Sequence, residues 1–131
     1  MRLVCFGDSN TYGCDPRGFW GGRYACEDRW PDLLAQQTGI HVENLGTNGA
    51  EIPSGADAII PQLRESDFLL VMLGTNDLLQ GLSPEETAAR MKIFLQQLLL
   101  RHRRILLIAP PPMKRGAWVA SDSLIEASRA L

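Results

Sequence analysis

The sequence is poor in the residues that most often announce a specialised chemistry. It has three cysteines, Cys5, Cys14 and Cys26, and two histidines, His41 and His102. Three cysteines cannot close a full set of disulfides, and none forms a Cys-x-x-Cys pair, which argues against a disulfide framework or a zinc ribbon. Free thiols suit a reducing compartment, so a cytoplasmic protein is expected. No apolar run approaches the roughly 18 residues of a membrane span. The apolar start from Leu3 to Phe6 breaks at Gly7-Asp8, so no signal peptide is expected. Neither Gly-x-Gly-x-x-Gly nor a P-loop occurs, and no His/Cys/Asp/Glu cluster has metal-ligand spacing, so neither a cofactor nor a metal is expected. Charge of one sign is also lacking. With 13 basic against 15 acidic residues and a net charge of -2, no global field favours nucleic acid. The one basic run, Arg101-His102-Arg103-Arg104, reads as the polar end of a helix.

What is present is the pattern of an alternating α/β domain. At 131 residues the chain is long enough for one domain with a single core. Leu3 to Phe6, Phe68 to Leu73 and Ile105 to Ala109 are almost continuously apolar, as strands buried on both faces should be. The stretch His41 to Leu45 alternates instead and suits a sheet edge. Helical spacing predicts a helix over Pro31 to Thr38 with Gly39 as its C-terminal cap, and another over Pro53 to Leu63. A capping box with proline at the first helical position opens a third at Ser83-Pro84-Glu85-Glu86. Its expected apolar stripe is Ala88, Met91, Leu95, Leu98 and Leu99. Ser123-Leu124-Ile125-Glu126 reads as a second capping box, opening a helix with Leu124, Ala127 and Leu131 on one face. Strands alternating with helices imply right-handed crossovers and a parallel sheet.

Each chemically suggestive residue follows a strand, where ligands collect in open parallel sheets. Ser9 stands in Gly7-Asp8-Ser9-Asn10, where a strand-to-helix turn can expose a hydroxyl among backbone N–H groups. Gly49 lies in the segment after the second strand, and Asn76 in Gly74-Thr75-Asn76-Asp77 after the third. Acyl transfer passes through a tetrahedral oxyanion that needs donors already in place. A glycine N–H and an asparagine carboxamide are such donors. Taken singly, Ser9 and Asn76 are equally ordinary turn residues, and Gly49 equally a backbone device. Phe19, Trp20 and Tyr24, among several glycines, either line an acyl pocket or pack on the domain surface.

The three blocks together resemble the SGNH (GDSL-like) hydrolases. Phe6-Gly7-Asp8-Ser9-Asn10-Thr11-Tyr12-Gly13 is similar to the family's first block, Asn44 to Gly49 to the second, and Leu73-Gly74-Thr75-Asn76-Asp77 to the third. Arg29-Trp30-Pro31 and Ile108-Ala109-Pro110-Pro111-Pro112 resemble the arylesterase-like branch. The resemblance implies a flavodoxin-like three-layer α/β/α sandwich, with a parallel sheet in the order 2-1-3-4. It implies Ser9 as nucleophile, with the Ser9 N–H, the Gly49 N–H and the Asn76 side chain as oxyanion donors. The substrate it implies is a small-molecule ester, and no cofactor. This is not the nucleophile elbow of α/β-hydrolases, since Thr11 stands where Gly-x-Ser-x-Gly requires glycine. The family's Asp-x-x-His block and fifth strand have no counterpart here. The expectation is therefore one domain, 1–131, that is C-terminally truncated and impaired as an esterase. The alternative is a non-catalytic binding module that keeps an anion or acyl-group site. The edge strand at Ile105 to Ala109 should then be covered by the tail or by another chain, as in a homo-oligomer.

Overall fold

The computed structural model describes residues 1–18, 21–116 and 121–131. Four strands, β1 (Arg2–Gly7), β2 (His41–Gly46), β3 (Phe68–Met72) and β4 (Ile105–Leu107), form one sheet in the order β2-β1-β3-β4. All three pairings are parallel, with Val4 opposite Glu43 and Leu69, and Leu70 opposite Leu106. The helices are α1 (Ser9–Tyr12), α2 (Trp30–Thr38), α3 (Thr75–Leu79), α4 (Pro84–Leu99) and α5 (Asp122–Ala130). The order and direction of the strands agree with the flavodoxin-like sandwich expected from the sequence.

Strand alternation divides the core in two. Val4, Leu69 and Val71 face Met91, Phe94 and Leu98 of α4, together with Ile52, Ala56 and Ile59. Cys5, Leu70 and Met72 face the opposite way, toward Trp30 of α2. Burial pushes the Cys5 thiol up to about 12, so it stays neutral and behaves as a small apolar side chain.

Local signals explain most helix boundaries. Ser83 Oγ accepts from the Glu86 N–H at 3.1 Å while the Glu86 carboxylate accepts from the Ser83 N–H at 2.8 Å, the reciprocal capping box the sequence predicts. The C-terminal N–H of α2 is used as expected, with Gly39 at φ 70° donating to Ala35.

Four expectations are corrected. The segment from Pro53 to Leu63 is not an α-helix but two 3₁₀ turns, Ala56–Ala58 and Ile60–Gln62. Pro61 lacks the N–H an α-helix needs there and disfavours helical geometry at Ile60. Ala56 and Ile59 still enter the core, so the apolar spacing reported burial rather than helix type. On α4 the buried line is Thr87, Met91, Phe94 and Leu98, and Leu95 packs half-buried against the same core, while Ala88 and Leu99 are exposed along an open groove. Thr87 tolerates burial because its hydroxyl donates to the Ser83 carbonyl at 2.9 Å. The cap of α5 is Ser121, whose Oγ accepts from the Leu124 N–H, not Ser123. The earlier serine adds a turn residue and puts Asp122 at the positive helix end, where it also pairs with Arg115.

Finally, β4 is three residues long and is not buried on both faces: Leu106 is 56% and Leu107 47% exposed. Among the described residues no element pairs with its outer edge. The α5 helix packs on α3 and α4. The groove between α4 and β4, about 660 Å³ and lined by Leu95, Leu99, Leu107, Ile108 and Leu131, is therefore open.

The amino-terminal pole of the sheet is held by charge. Arg2 forks onto Asp67 at 3.0 and 2.6 Å and reaches Glu43 at 2.7 Å. The Arg2 hydrogen bonds hold the Asp67 carboxyl down to about 2. The basic run lies just beyond α4 and is consumed locally: Arg101 pairs with Asp57, Arg104 donates to the Ser66 carbonyl, and His102 is buried.

Candidate active site

The four-residue helix α1 is too short to use its own carbonyls, and such orphan acceptors must find partners elsewhere. All four do. Ser9 O accepts from the Gly13 and Cys14 N–H groups at 2.9 and 3.0 Å. Asn10 O accepts from the Trp30 indole at 3.1 Å, Thr11 O from the Asn44 carboxamide at 2.8 Å and Tyr12 O from the Arg23 guanidinium at 2.8 Å. At the other end, Asp8 caps the helix by accepting from the Asn10 N–H at 2.9 Å. Burial raises the Asp8 carboxyl above the usual range, and Asp77 nearby adds to the effect. Ser9 is thus fixed by its backbone, and the residue is half-buried.

Glycine lets α1 sit directly on the strand ends. A Cβ at Gly7 would come within 2.1 Å of Thr11 Oγ1, and one at Gly46 within 2.2 Å of the Tyr12 backbone nitrogen. The loop after β2 then turns beside α1. Thr47 N–H donates to Gly7 O at 3.0 Å, and Ala50 N–H returns to Thr47 O at 3.1 Å, closing a β-turn. Gly49 holds the third position of that turn at φ 76°, and nothing lies within 4 Å of where its Cβ would be. Glycine is required there for its backbone angle, not for want of room.

The loop after β3 meets the loop after β2 directly. Asn76 Nδ2 donates to the Ala50 carbonyl at 2.9 Å. Fully buried Asp77 accepts from the Ile52 N–H at 3.1 and 3.3 Å. The structure therefore brings the Gly49 turn and Asn76 together beyond the end of β1, where Ser9 begins α1. The Asn76 carboxamide has a second N–H, and the bond to Ala50 fixes the plane in which it lies.

Neither histidine belongs to this pole. His41 starts β2 opposite Arg2, and His102 precedes β4 with its Nε2 3.0 Å from Asp67 O. All strands run the same way, so both lie about a strand length, roughly 20 Å, from Ser9. Phe19 and Trp20 lie outside the described residues. Tyr24 is half-buried, and its N–H donates to Gly13 O behind α1. No helix among the described residues is long and apolar enough to cross a membrane.

Sequence reasoning missed Trp30, Asn44 and Arg23 as supports of α1, and Asp77 as the tie between loops. Trp30, Asn44 and Asp77 stand inside the segments that carry the family resemblance, but the groups they bond lie on distant segments, and Arg23 has no such signal.

A serine on a tight turn at the end of a central parallel strand, flanked by the glycine and asparagine loops of its two neighbours, defines the SGNH class of α/β hydrolases. The chain belongs to the GDSL-like Lipase/Acylhydrolase family, whose sequence profile matches residues 5–131, and so to the carboxylic ester hydrolases. Among solved structures it is similar to a carbohydrate acetylesterase family member from Sinorhizobium meliloti. The two share 26% identity at a TM-score of 0.77, over 98% of this chain and 73% of that one. The fold also matches the native aryl esterase of M. smegmatis, with 24% identity, a TM-score of 0.81 and coverage of 98% and 74%. No curated protein matches the sequence.

Proposed function

We propose that Ser9 is the nucleophile of a serine esterase that cleaves small carboxylic esters through an acyl-serine intermediate. Ser9 Oγ attacks the ester carbonyl, and the carbonyl electrons move onto its oxygen. The backbone N–H groups of Ser9 and Gly49 and the free N–H of Asn76 receive that charge. Collapse of the adduct expels the alcohol and leaves the acyl-serine, which water then hydrolyses. The observation that supports this reading is the Asn76–Ala50 hydrogen bond, which ties the Asn76 side chain to the turn that holds Gly49. The similarity to an acetylesterase family member favours short acyl groups.

The serine's proton needs a base, and both histidines lie at the far pole. On this reading the chain as described holds a nucleophile and an oxyanion hole but not the base of a full triad, and turnover is correspondingly weak. The same observation favours the second reading, a binding module that holds an anion or acyl group without turning it over.

A fluorophosphonate probe separates the two. Intact-mass and peptide analysis should show one phosphonyl group per chain, on Ser9, with labelling accelerated by added imidazole as a soluble base. Reversible anion binding with no label on Ser9 would select the binding module.

A further inference from the structure

We propose that Arg90, in the middle of α4, is a positioning residue for the oxyanion hole and acts through Asp77. The proposal rests on the esterase reading of Ser9. The starting point is a charge problem. Asp77 has no exposed surface, yet its carboxylate is the acceptor that holds the Ile52 N–H and so ends the Gly49 loop. A buried carboxylate without a counter-ion is costly. A second buried acid, Asp8, lies within electrostatic range of it.

Among the described residues, one cation pairs with this carboxylate. Arg90 Nη1 is 3.3 Å from Asp77 Oδ1 and 3.6 Å from Glu51 Oε1. Glu51 is two residues after Gly49, and Asp77 directly follows Asn76. A single nitrogen on α4 therefore joins the two loops that carry the proposed donors. It adds to the Asn76–Ala50 and Asp77–Ile52 bonds, giving three cross-links between the same two segments. Oxyanion donors act mainly when they are already in place. Slackening this clamp should lower the rate of the chemical step while leaving substrate binding nearly intact. Because one nitrogen serves both carboxylates, a lysine ammonium can take over, which is not so where arginine binds with both arms of its fork.

The test is hydrolysis of p-nitrophenyl acetate in imidazole buffer, taken as the rate above that of Ser9→Ala and normalised to folded protein by thermal melting. Arg90→Met should lower the Ser9-dependent kcat about tenfold with KM changed less than twofold, and Arg90→Lys should recover most of it. In an Asp77→Asn background, where an amide oxygen can still accept from Ile52 and no buried charge needs a partner, Arg90→Met should have no further effect. That background also keeps the test usable if Arg90→Met alone folds poorly. A Ser9-dependent kcat unchanged in Arg90→Met, or a loss as large without the Asp77 carboxylate as with it, would overturn this proposal alone. Equal rates for the parent chain and Ser9→Ala would overturn the esterase reading and this proposal with it.

Discussion

Asn76→Ala is expected to lower the Ser9-dependent kcat by about 10²- to 10³-fold and to leave KM nearly unchanged. A side-chain oxyanion donor stabilises charge that exists only in the transition state, and losses of about this size follow its removal. The structure adds a second consequence. Asn76 Nδ2 also donates to the Ala50 carbonyl, so truncation frees the Gly49 turn as well as removing a donor. Asn76→Asp should be no better than alanine, because a carboxylate cannot donate and would face the Ala50 carbonyl with like partial charge. Steady-state kinetics on p-nitrophenyl acetate with imidazole present decides the matter. A change confined to KM would make Asn76 a substrate-binding residue rather than an oxyanion donor.

The largest effect on the fold of the site is expected from Gly46→Ala. The added Cβ would lie 2.2 Å from the Tyr12 nitrogen and 2.7 Å from both Thr11 C and Tyr12 Cα, all of them backbone atoms. A flexible side chain could swing away, but these atoms can move only if α1 moves. Overpacking of that kind costs about 3 kcal/mol or more, which for a chain of this size lowers Tm by roughly 10 °C. Ser9 labelling should fall with it, since Ser9 opens the displaced helix. Gly49→Ala is the contrast. Its Cβ meets nothing, so the cost is only the positive φ, about 1–2 kcal/mol. Thermal melts of the two variants side by side would show the difference. Equal destabilisation would mean that the close approach of α1 to β2 is not what requires glycine at position 46.

Much of this architecture was legible because the signals were local. The capping box at Ser83 and Glu86, the left-handed cap at Gly39 and the apolar runs of β1 and β3 each depend on a few adjacent residues. The helix expected from Pro53 to Leu63 failed because periodicity records which side chains are buried and is blind to the backbone hydrogen bond that Pro61 cannot make. The same blindness placed Ala88 and Leu99 on the core side of α4 and passed over Phe94, which is fully buried. The site divides in the same way. Ser9, Gly49 and Asn76 announced themselves as turn residues after strands. Their supports did not, because each pairing is between distant segments. Trp30 serves Asn10, Asn44 serves Thr11 across 33 residues, and Asp77 holds Ile52 across 25. Only the fold brings them together.

The central proposal is that Ser9 is a nucleophile served by an oxyanion hole, with neither His41 nor His102 at its pole of the sheet. The measurement closest to that claim is p-nitrophenyl acetate turnover by the chain and by Ser9→Ala, each across a range of imidazole concentrations. The claim predicts weak turnover without imidazole, on the order of the 10³- to 10⁴-fold acceleration over water that binding and an oxyanion hole alone provide. It further predicts a saturable rise with imidazole in the chain that is absent from Ser9→Ala, whose rate should track that of imidazole in buffer. Full activity without imidazole would mean that a base already serves Ser9, and equal rates in the two proteins at every concentration would mean that Ser9 is not the nucleophile.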